Sequence, residues 1–124
     1  MSFDEEYNEQ MHESVVGLAN AVVGNKIVDV EKSEYGNLTI TLDSGVTVSM
    51  EGLADCCAYS EVENFLLNYK SIDHVITSVT TTGDYEVWYI LAGADEVMTL
   101  NVNWSEGSGW PGYMYGFDIT VENP

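Results

Sequence analysis

An α+β fold dominated by antiparallel strands is predicted for this chain by three observations. A helical apolar period runs through roughly the first twenty residues, apolar and polar residues alternate from Lys26 onward, and the alternating runs are joined by turns too short for crossover helices. About six or seven strands are expected, in a meander or sheet. At 124 residues the chain fits one domain, residues 1–124, with a helix over 1–22 and a β-rich core over 26–122.

The helix is read from Ser2 and Glu5, which make a capping-box pattern, and from Phe3, Tyr7, Met11, Val15, Leu18 and Val22, which recur at intervals of four and three. Glu5, Glu9 and Glu13 fall on the opposite side, about 6 Å apart along the axis, which reads first as an ordinary solvated face and, as the alternative, as a mimic of a phosphate backbone. Either the chain's own sheet or a second copy covers the apolar stripe; the first is expected, and a homodimer through this helix is the alternative.

Val28 and Val30, then Leu38, Ile40 and Leu42, then Val46, Val48 and Met50 alternate with polar residues, and Asp43-Ser44-Gly45 supplies a turn. Ser60 and Glu63 repeat the capping-box pattern before Val62, Phe65, Leu66 and Tyr69, which predicts a short inserted helix near 60–69. Four more strands are expected at about 74–80, 86–91, 96–104 and 113–121, with turns at Thr82-Gly83-Asp84 and Gly93-Ala94-Asp95.

Charge removes several functions. There are 21 Asp and Glu against Lys26, Lys32 and Lys70, no arginine, and a net charge of -18. Such a surface repels nucleic acid, anionic membranes and phosphorylated substrates. No run is long enough to span a membrane, and Met1-Ser2-Phe3-Asp4-Glu5-Glu6 lacks the positive charge of a signal peptide, so a cytoplasmic protein is expected. Charge complementarity then calls for a basic protein partner.

The chemical motifs are few. Gly107-Ser108-Gly109-Trp110-Pro111-Gly112 has the letters of a dinucleotide-binding loop, but a strand pattern follows where that motif needs a helix, so it reads as a hairpin loop displaying Trp110. Trp110 is a candidate binding residue beside Glu5, Glu9 and Glu13, or else folds back onto Tyr113 or Tyr115. Asp55, Cys56, Cys57 and His74 form the alternative candidate, a small-molecule or metal pocket near the aromatic residues of the final hairpin.

Against that candidate, the expected state of Cys56 and Cys57 is buried and structural, as for most free cysteines. Cys56, Cys57, His12 and His74 lack zinc-ligand spacing, and no nucleophile, base and orienter can be assembled into a catalytic set. No metal, cofactor or enzymatic activity is therefore predicted.

The strings Gly52-Leu53-Ala54-Asp55-Cys56-Cys57-Ala58-Tyr59-Ser60-Glu61-Val62-Glu63, His74-Val75-Ile76-Thr77, Leu100-Asn101-Val102-Asn103-Trp104 and Tyr115-Gly116-Phe117-Asp118-Ile119 resemble a small domain of unknown function found in actinobacteria and their bacteriophages. The resemblance covers roughly residues 20 to 122. It implies a phage-encoded accessory protein acting in the host cytoplasm, and it assigns no residue a role.

Overall fold

The computed structural model describes residues 8–107 and 112–124. Phe3, Glu5, Tyr7 and Trp110 lie outside the described residues. One helix, α1 (Glu9–Val22), precedes eight strands: β1 (Ile27–Lys32), β2 (Leu38–Leu42), β3 (Thr47–Gly52), β4 (Tyr59–Leu67), β5 (Ser78–Thr81), β6 (Val87–Ala92), β7 (Asp95–Ser105) and β8 (Phe117–Glu122). They make two four-stranded sheets, ordered β1-β2-β3-β8 and β4-β7-β6-β5. Every pairing is antiparallel, as the short connections predict.

The buried faces of both sheets enter one core. Ile40, Val48 and Met50 of the first sheet join Trp88, Ile90, Met98 and Leu100 of the second. Trp88 meets Phe117 edge to face, with ring centroids 5.5 Å apart, which ties β6 to β8 across the two sheets. The α1 helix covers the side where β8 and β5 form edges, and Met11, Val15, Leu18 and Val22 are buried against them. The apolar stripe of the described helix is thus satisfied within the chain.

The capping-box start read at Ser2 and Glu5 lies outside the described residues; the described helix begins at Glu9, where Asn8 is extended, with φ -130 and ψ 115, and its side-chain oxygen accepts a hydrogen bond from Met11 N at 3.2 Å. Two expectations need correction.

The inserted helix at 60–69 is a strand, β4, paired with β7 from Tyr59↔Ser105 to Leu67↔Met98. A register shift between Val62 and Asn64 adds one residue to the strand, so the inward residues run Ser60, Val62, Phe65, Leu67. That three-residue step at the bulge imitates a helical period, and Leu66 and Tyr69, which a helix would have buried, are 71% and 81% exposed.

The second correction concerns the strand expected from His74. The chain instead turns at 69–74, and β5 begins at Ser78. Ser71 anchors this turn by donating to Glu96 O at 2.6 Å.

Candidate functional site

The turn between β3 and β4 carries Asp55, Cys56 and Cys57. Asp55 N donates to Ala58 O at 2.8 Å, and its carboxylate accepts from Cys56 N at 2.8 Å. The other carboxylate oxygen accepts from Met114 N at 3.2 Å, which pins the turn to the segment leading into β8. Asp55 was expected as a member of the candidate pocket, and in the structure it acts as a bracket between two distant pieces of chain.

Both cysteines are exposed, contrary to the expectation of buried thiols. The inward position of the turn is taken by Ala58, 1% exposed, and the cysteines stand at its tip. Cysteine's general preference for burial yields here to the geometry of a tight turn. The two Sγ atoms are 3.2 Å apart.

The hydrogen bond with Cys56 pushes the Cys57 thiol above its ordinary pKa; the Tyr113 hydroxyl pulls it down, and charge on Cys56 and Asp55 adds to the rise. Tyr113 is itself raised, first by its hydrogen bond with Cys56 and then by that with Cys57. Tyr113 belongs to the aromatic residues of the final hairpin that were expected near the thiols, though nothing in the sequence singled it out from Tyr115 or Phe117.

Behind this turn, two buried hydroxyls and one amide lock the residues before β8. Ser60 Oγ accepts from Gly116 N at 2.6 Å, and Ser14 Oγ accepts from Phe117 N at 2.8 Å. Gln10 donates to Tyr113 O at 3.1 Å and accepts from Tyr115 N at 3.2 Å, as a strand neighbour would. Tyr115 stacks on Trp104, centroids 5.7 Å apart, and its hydroxyl accepts from Asn8 Nδ2 at 2.7 Å.

An open cleft of about 390 Å³ runs along this seam, with Gln10, Glu13, Leu53 and Met114 among its lining residues. It borders the cysteine turn through Met114, but neither thiol lines it.

The remaining candidates lie apart. His74 is beside Asp73 and Asp95, at 3.8 Å and 3.9 Å, near the first residue of β7, whereas Cys57 backs onto Gly107 beyond the last. An eleven-residue strand separates them by about 30 Å. The structure therefore does not unite His74 with Asp55, Cys56 and Cys57. Glu9 and Glu13 are both exposed on α1.

Acid dominates the rest of the surface. Every described Asp and Glu is exposed except the half-buried Glu61. His74 pairs with Asp73 and Asp95, and among the described residues no lysine meets a carboxylate. No described helix is long and apolar enough to cross a membrane.

Two antiparallel sheets closed by one helix, with an acidic exterior and an exposed dithiol turn, define the class of domain. The chain belongs to the family described as Domain of unknown function (DUF7448), whose model matches residues 20–121. The match takes in both sheets and the cysteine turn, while most of α1 precedes it. No curated protein and no solved structure matches the chain.

Proposed function

We propose that this protein is a non-enzymatic interaction module, a phage-encoded accessory product that binds a basic surface on a host or phage protein in the bacterial cytoplasm. The observation that carries this reading is the unneutralised acid of the surface: among the described residues, no lysine is paired with any of the exposed carboxylates. Internal pairing does not consume that charge, so it remains available to steer a cationic partner. Glu9 and Glu13, with Glu5 ahead of them in the sequence, are the part of the surface assigned to first contact. The phage origin is supported by the resemblance of the sequence strings above.

The test is affinity capture from an actinobacterial lysate over a salt series, followed by binding kinetics with the captured protein. A basic partner should be held at low ionic strength, be displaced by polylysine and by polyglutamate alike, and lose about tenfold in association rate to the combined variant Glu5→Gln, Glu9→Gln, Glu13→Gln. A partner indifferent to both salt and the triple variant would sink the reading. A second reading, a small-ligand or metal-binding protein, is favoured by the exposed thiols on the Asp55 turn.

A further inference from the structure

We propose that the adjacent thiols of Cys56 and Cys57 form a bidentate site for a trivalent, pyramidal thiophile of the arsenous-acid class. The two sulfurs lie 3.2 Å apart, closer than the ~3.5–4.0 Å at which unbonded carbon atoms pack. Both side chains are exposed, so one incoming centre reaches both at once. The turn is already set, because the Asp55 carboxylate holds Cys56 N at one oxygen and Met114 N at the other. Little conformational freedom then remains to be lost on binding.

The bite selects the ligand. Tetrahedral zinc, with bonds of ~2.3 Å, places two sulfurs about 3.8 Å apart and asks for four ligands. No group of three or more His, Cys, Asp or Glu able to hold a metal ion occurs among the described residues. A linear two-coordinate ion sets its sulfurs on opposite sides, farther apart still. A pyramidal centre whose bonds meet near a right angle draws its two sulfurs together, as they already stand here.

Charge and protonation act in the same direction. A net charge of -18 repels anionic oxidants such as glutathione disulfide, whereas arsenous acid is neutral. Neighbouring cysteines have Cα atoms about 3.8 Å apart, below the usual disulfide span, so closure on themselves is strained and the dithiol stays available. The hydrogen bond with Cys56 pushes the Cys57 thiol above its ordinary pKa, so its proton is at hand to leave as water. Two S–H and two As–OH bonds break, two As–S bonds form, and each thiol proton leaves with a hydroxide as water. Arsenic stays trivalent and no electrons are transferred.

Phenylarsine oxide is the probe, added to the reduced full-length chain and read by intact-mass spectrometry and titration calorimetry. One adduct per chain is expected, with loss of a single water as both thiols condense on one arsenic. The dithiol 2,3-dimercaptopropanol should strip it, while an equal excess of 2-mercaptoethanol should not.

Cys56→Ser and Cys57→Ser should each weaken binding by about a hundredfold, because the second bond is no longer intramolecular. Both cysteines are exposed, so unchanged circular dichroism should accompany the loss. No adduct on the parent chain, or single variants within a few-fold of it, would overturn the proposal. The inference is independent of the acidic-surface reading: the variant lacking Glu5, Glu9 and Glu13 should bind the probe unchanged.

Discussion

Ser14, which no motif marked, and Ser60, which was read as a helix cap, are both constrained by the fold in a way the sequence does not show. Each is buried, and each hydroxyl accepts a backbone N–H from the entry to β8. Removing the Ser14 hydroxyl leaves Phe117 N without its partner in a dry environment, so Ser14→Ala should cost about 1–3 kcal/mol in chemical denaturation. An unchanged midpoint would mean that another acceptor takes over.

Gly52 is constrained more tightly. A Cβ there would sit 1.8 Å from Ser60 O, a backbone atom that cannot swing aside. Gly52→Ala should therefore force β3 and β4 apart at a cost of about 3 kcal/mol, measurable in the same titration. Gly116 adds a conformational demand, with φ +90 and Ser14 Oγ only 2.8 Å from a would-be Cβ.

Elements were legible where one period ran unbroken. The alternation in Leu38–Leu42, Thr47–Gly52 and the stretch from Met98 to Trp104 reads directly as strands β2, β3 and most of β7, because each buries one face more than the other. The reading failed at β4, where the bulge at Val62 and Asn64 breaks the period and no local signal separates a bulge from a helical step. The cysteine turn was visible as an unusual string, but its contacts with Tyr113 and Met114 join residues more than fifty positions apart. Only tertiary structure reveals those.

A further local signal, Thr82-Gly83-Asp84, was read correctly as a turn, and the structure adds its electrostatics. Thr82 Oγ1 donates to Asp84 at 2.5 Å and Glu86 N donates at 3.1 Å, and together these hold the carboxyl below its ordinary pKa. A depressed folded-state pKa means that the ionised form favours the fold. This contribution is full above the unfolded-state value and fades as pH falls through the lower folded value. A proton titration followed by NMR should place Asp84 below an exposed aspartate, and Thr82→Val should raise it. An Asp84 midpoint untouched by that variant would refute the assignment of the cause.

At the scale of the whole molecule, the balance of charge decides behaviour that no single contact controls. The described lysines make no ion pair with a carboxylate, so the carboxylates act on one another chiefly by repulsion across the surface. Folding gathers those charges into a smaller volume than the unfolded chain occupies, and so the native state bears the greater self-repulsion. Added salt shortens the Debye length from about 30 Å at 0.01 M to about 8 Å at 0.15 M, less than the distance between most surface pairs. The relief favours the folded state. For a domain of this size, about 1 kcal/mol of relief corresponds to a rise of about 4 °C in Tm.

The expected result is a Tm that climbs between 0.01 M and 0.15 M sodium chloride, with the steepest change at the low end. Repeating the melt with calcium and with chelator separates screening from binding: screening depends on ionic strength alone, whereas a bound cation would give a larger gain at micromolar calcium that chelator reverses. The combined Glu5, Glu9 and Glu13 variant provides the internal check. Removing three negative charges should raise Tm at low salt and flatten its salt dependence, because less repulsion is left to screen. A variant with an unchanged salt slope would show that the stripe lies too far from the remaining carboxylates to contribute, and the same distance would weaken its assignment as the surface that steers a basic partner.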